Sequence, residues 1–144
     1  MSTAIGAAAE RRITVGGGAA DRLRTILRVD GWSTAVFGVV LLAAWRPVGD
    51  WFGLPPAWSV PLGVAMLGGA AALGLIAGYP RIPVRYVGLV VAGNTLSCAA
   101  LVVLVLAGAM PLTGLGVAFM LTGAAVVAAY AVLEFLGLRR ARES

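Results

Sequence analysis

The stretch from Tyr86 to Met110, YVGLVVAGNTLSCAALVVLVLAGAM, runs for 25 residues without a charged side chain. At 1.5 Å per residue a helix of that length exceeds a hydrocarbon core about 30 Å thick. Three further apolar runs flank it, at Ile26 to Trp45, Trp58 to Tyr79 and Leu112 to Leu138. In lipid each backbone N–H and C=O must be satisfied within its own segment, so runs of this length become helices and not strands. The sequence therefore predicts an all-α membrane protein, a bundle of four transmembrane helices.

Composition agrees with that prediction. The 144 residues are 60% hydrophobic and 12% charged, against roughly 45–50% and about 25% in soluble domains. Almost nothing polar remains outside the runs, so a single membrane domain is expected over residues 21–139. The two cytoplasmic tails would be residues 1–20 and 140–144. The first tail, with Gly16-Gly17-Gly18 and no apolar segment of signal-peptide type, is predicted to be disordered. An amphipathic turn, Asp21 to Arg28, leads into the first span with Arg24 and Arg28 on its wet side.

Arginine sets the predicted orientation. Arg11, Arg12, Arg22, Arg24 and Arg28 precede the first span, Arg81 and Arg85 lie between the second and third, and Arg139, Arg140 and Arg142 follow the fourth. Only Arg46 falls on the other side, so the positive-inside rule places both termini in the cytoplasm, N-in and C-in. All eleven basic residues are Arg, a bias suggesting a GC-rich bacterial genome. The net charge of +5 flanks the spans instead of forming a basic face with interleaved aromatics. Anionic headgroups on the cytoplasmic side are the expected partner, and nucleic acid is not.

The first outer loop, Arg46 to Pro56, gathers Trp45, Trp51 and Trp58 around it, as interface anchors do. Pro47 would start a short helical turn there and Gly53 would end it. The third loop, Gly108 to Pro111, is short enough to force the last two helices into an antiparallel hairpin. An echo between Leu62-Gly63-Val64-Ala65-Met66 and Leu115-Gly116-Val117-Ala118-Phe119, repeated between Gly69-Ala70-Ala71 and Gly123-Ala124-Ala125, leaves open an arrangement of two tandem helical hairpins. Chance matching in low-complexity apolar sequence is the other reading.

Packing and chemistry rest on a few residues. Gly74 and Gly78 are spaced as GxxxG in the second span, and Gly123 lies among small residues of the fourth, so all three are predicted at helix–helix contacts. Asp30 and Glu134 are the acids within the spans, expected at the cytoplasmic rim and paired across helices with Arg85 or Arg28. Asn94, nine residues past Arg85, is expected near the midplane in a polar cluster with Thr95, Ser97 and Cys98. Thr113 and Thr122 are expected to bond back to their own helices. A single Cys denies disulfide and thiol-relay chemistry, and the absence of His removes the usual haem and zinc ligand and the favoured general base. No catalytic constellation, cofactor or metal site is predicted.

The succession Leu27-Arg28-Val29-Asp30-Gly31, Gly53-Leu54-Pro55, Val84-Arg85 with Gly93-Asn94, Pro111-Leu112-Thr113-Gly114-Leu115-Gly116 and Leu136-Gly137-Leu138-Arg139-Arg140 resembles a group of small four-helix bacterial inner-membrane proteins of actinobacteria and proteobacteria. The resemblance covers nearly the whole chain after Asp21, and it departs where members carry Trp and this chain has Ser97. It implies the four-span topology and an inner-membrane location. The group has no established activity, so no catalytic residue is carried over. Two functions follow as expectations. The favoured one is an accessory, assembly or structural subunit that packs against a larger membrane complex or a copy of itself. The alternative is a small-solute or ion transporter or channel with a polar path through Asn94.

Overall fold

The computed structural model describes residues 2–143, with side chains described from residue 17 onward. Five helices follow one another: α1 (Ser2–Ala43), α2 (Trp45–Phe52), α3 (Pro56–Gly78), α4 (Val84–Leu106) and α5 (Gly114–Glu143). Four of them contain segments long and apolar enough to cross a membrane, namely Gly17–Ala43, Pro56–Gly78, Val84–Leu106 and Gly114–Glu143. Residues 2–20, expected above as a disordered tail, are helical and continuous with the first span; the side chains of residues 1–16 lie outside the described ones.

Local chemistry sets the boundaries, and several differ from the expected ones. The first span stops at Ala43 instead of Trp45, because the backbone bends at Ala44 (φ −109°, ψ 29°) and hands Trp45 to α2. Pro55 and Pro56 open α3, where a missing N–H costs nothing. The third span ends at Leu106 and not at Met110. Gly108 adopts φ 59°, its N–H bonds Val105 and that of Ala109 bonds Leu104, which is a Schellman stop. The last connection is consequently residues 107–113, longer than expected. Thr113 caps α5 by accepting the Gly116 N–H at 3.0 Å, and α5 continues past Leu138 to Glu143.

Packing is by hairpins. α1 lies chiefly against α3 and α4 against α5; α1 and α5 join the two pairs, while α3 and α4 barely touch. Two apolar clusters close the bundle at its ends. Leu23, Leu27, Leu73, Ala77, Val87 and Leu138 fill the arginine end, and Leu41, Val48, Leu54, Met110 and Met120 fill the tryptophan end. The outer surface is as apolar as the core, with Trp32, Leu75, Leu89, Leu96 and Leu106 at least two-thirds exposed. Water would not tolerate so continuous an apolar belt, and lipid does. The chain is a multi-pass helical membrane protein.

The glycines that make close contact are not the predicted ones. A Cβ on Gly38 would lie 3.1 Å from the Gly63 carbonyl, a Cβ on Gly63 would lie 2.8 Å from Leu42, and one on Gly31 would lie 3.3 Å from the Leu73 Cβ, so α1 and α3 approach through these positions. Gly74, Gly78 and Gly123 have nothing within 4 Å of such an atom. Gly74 nonetheless borders the α1–α3 seam, its backbone nitrogen 3.9 Å from a Cβ on Gly31, although the space its own side chain would take is open. Gly63 and Gly116, equivalent in the sequence echo, meet different partners: Gly116 lies against the Phe52 carbonyl of α2. The contacts do not follow the repeat.

Candidate functional site

Three side chains from three helices meet between the two apolar clusters. The amide of Asn94 on α4 donates to Asp30 Oδ2 of α1 at 3.0 Å and to Glu134 Oε2 of α5 at 2.9 Å. Since both partners are carboxyls, the nitrogen and not the oxygen of the amide faces them. Two acceptors of one nitrogen lie no more than about 6 Å apart, so Asn94 holds the acids side by side.

Neighbouring residues complete the arrangement. Thr34, one turn after Asp30, donates to Asp30 Oδ1 at 3.1 Å. Ser33 bonds the Asp30 carbonyl at 2.9 Å and lies 3.3 Å from the hydroxyl of Tyr130. Tyr130 stands one turn before Glu134 on the same face of α5. Asp30 is 3% exposed and Glu134 fully buried, yet Glu134 Oε1 has no hydrogen-bond partner. An orphaned buried acceptor is costly, about 1–3 kcal/mol or more for a charged group, so its persistence marks a site.

Several expectations for these residues are corrected. Asp30 and Glu134 do not sit at a rim apart from Asn94; the shared amide brings all three to one level. Arg85 does not pair with either acid. It is drawn outward to Tyr86, donating to its hydroxyl at 2.9 Å and lying 4.7 Å from the ring centroid. Arg28 is exposed, and Arg24 is committed to the end of α3, donating to the carbonyls of Ala77, Tyr79 and Pro80 as well as to Asp21. Among the described residues neither buried acid is ion-paired. The cluster expected around Asn94 divides, because Thr95 and Ser97 point outward, Thr95 bonding back to the Val91 carbonyl at 2.7 Å, and Cys98 is half-buried. The Thr113 hydroxyl does not donate back to a carbonyl of its own helix: it donates to the Trp51 carbonyl at 2.7 Å.

Ser33, Thr34 and Tyr130 were missed in sequence reasoning, although a signal existed. Each stands three or four residues from an acid and so shares its helix face. Trp45, Trp51 and Trp58 are 38%, 67% and 40% exposed around α2, with Arg46 5.1 Å from the Trp45 ring centroid. Among the described residues no three His, Cys, Asp or Glu side chains gather as metal ligands.

Beside the trio a half-enclosed cavity of about 210 Å³ extends towards the tryptophan end. Asp30, Ser33 and Thr34 form its head, and Phe37, Leu41, Leu62, Met66, Leu101, Phe119 and Met120 are among its walls. Phe37, Thr122 and Val126 line it and are themselves exposed, so it opens sideways between α1 and α5.

Fold and site together define a multi-pass α-helical membrane protein with an amide-bridged pair of buried acids. No protein-family model, curated protein or solved structure matches the chain.

Proposed function

We propose that this protein is a small membrane carrier whose working site, Asp30, Asn94 and Glu134, takes up one positive charge, a proton or a monovalent cation, within the bilayer. The observation that carries the reading is the orphaned Oε1 of fully buried Glu134 beside a second acid, with no salt bridge to either among the described residues. An amide donates hydrogen bonds but cannot neutralise charge. Two carboxyls buried without a counter-charge are costly enough that a proton or cation between them is the natural complement, and ionisable groups inside spans mark ion or proton pathways. Infrared spectra of the reconstituted protein across a pH series test this. A protonated-carboxyl band is expected in the wild type and is lost in Glu134→Gln, and proton or sodium flux into proteoliposomes falls at least tenfold in Asp30→Asn and Glu134→Gln. Equal spectra and equal flux in all three proteins would refute the carrier.

The accessory-subunit reading keeps one supporting observation, the unpartnered small-residue face of α3 at Gly68, Gly69, Gly74 and Gly78. Extraction in mild detergent at native expression decides it: a co-migrating chain supports it, and recovery as a lone monomer removes it. We further propose a bacterial inner membrane, with both termini and the Arg81–Arg85 loop cytoplasmic. The arginine distribution supports the orientation, and the resemblance to small four-helix bacterial proteins supports the location.

A further inference from the structure

We infer that the cavity between α1 and α5 binds a small lipophilic organic monocation, its charge against Asp30 and its apolar part along Phe37 and Phe119. The inference rests on the carrier reading and names the class of solute.

Charge, walls and size all bear on the choice. Asp30 is the one ionisable acid among the lining residues, and no arginine lines the cavity, so an anion is repelled there. The other ionisable groups facing Asp30 are Glu134 and Tyr130 of α5; α4 contributes neutral Asn94. A bare inorganic ion would trade its hydration for carbon walls beyond the four hydroxyl-bearing residues Ser33, Thr34, Thr122 and Tyr130, which the cavity does not compensate. A molecule with one charged head and an apolar body loses little, because its body is matched by the walls. The rings of Phe37 and Phe119, tilted at 59° with centroids 6.4 Å apart, give the apolar body an aromatic wall. The volume, about 210 Å³, lies below the roughly 300 Å³ at which drug-sized pockets begin, and so fits one ring with a compact ammonium.

Benzyltrimethylammonium and its uncharged carbon isostere, 2,2-dimethylpropylbenzene, separate recognition of charge from filling of space. Labelled benzyltrimethylammonium should bind saturably to the full-length protein in nanodiscs, with the isostere competing at least tenfold more weakly. Asp30→Asn should weaken binding at least tenfold. Gly123→Phe and Val127→Phe, at two further positions that line the cavity, should abolish binding while leaving the carboxyl band intact. Equal competition by the isostere would make the cavity a place for apolar guests such as acyl chains and overturn the inference. Absence of saturable binding, or binding unchanged in both filling variants that elute as folded protein, would overturn it too. If carboxyl band and flux respond to Glu134→Gln but no cation binds, the solute class alone is wrong; if neither band nor flux responds, the carrier reading fails.

Discussion

Asn94 holds the polar centre together with a single NH2 group, so its removal acts on two acids at once. Asn94→Leu keeps the branched shape and deletes both donors. An ordinary interhelical hydrogen bond in a membrane contributes about 0.6 to 2 kcal/mol, whereas stranding a buried acceptor costs about 1–3 kcal/mol. The substitution should therefore lower the thermal midpoint in detergent by more than Leu96→Ala, whose side chain is 70% exposed to lipid; equal midpoints would contradict the bridging role. The acids and the amide stand out in the sequence by type alone, since few such residues interrupt the apolar runs. Their convergence does not, because spacing along one helix carries no information about the rotation of its neighbours. The expected arginine partner fails for a related reason: a long side chain near a helix end reaches outward to water and to Tyr86 more easily than inward across a packed core.

At the scale of the element, close approach and capping decide what each helix tolerates. Gly38→Val would push a branched side chain into the Gly63 carbonyl and Leu67, each 3.1 Å from the added Cβ, and overpacking of this kind costs about 1–3 kcal/mol. Gly74→Ala meets nothing and, by the helix propensity difference, should stabilise by up to about 1 kcal/mol. Opposite shifts of the unfolding midpoint in the two variants are the expected result; destabilisation by both would restore the GxxxG contact. Thr113→Val removes the α5 cap and the bond to Trp51, and a lost cap alone costs about 1 kcal/mol. It should also loosen α2, read as faster hydrogen exchange at Trp51 and Phe52. Helix lengths were legible because the apolar runs are long. Their ends were less so, since hydropathy continues through Ala107–Met110 while the stop is made by the positive φ of Gly108. Gly53, also at positive φ (67°) and against the Pro111 carbonyl, was legible as the end of α2 because glycine is the residue such a turn needs.

For the whole molecule, four spans follow from composition and length; the pairing of α1 with α3 and of α4 with α5 does not follow from loop length, because the shortest connection between spans, residues 79–83, joins α3 and α4, which barely touch. Which glycines form the seams does not follow either, because every span is rich in small residues and periodicity cannot rank them. The proposed orientation rests on arginine asymmetry. Tags at the two ends should be reachable only after the cell envelope is opened, and a tag placed after Gly53 should be reachable from outside; the reverse pattern would invert the protein.

The link between α2 and the head of α5 bears on the order in which the protein is made. The carbonyls of Trp51 and Phe52 accept from Thr113 at 2.7 and 3.0 Å, yet about sixty residues of chain must leave the ribosome between them. The first hairpin can insert early and offers α2 one side of its seat, but the α5 side is missing until the second emerges. Maturation of the outer face is thus a late, post-insertional event, and a nascent chain stalled before Pro111 should leave that short helix open to proteases that the finished protein resists.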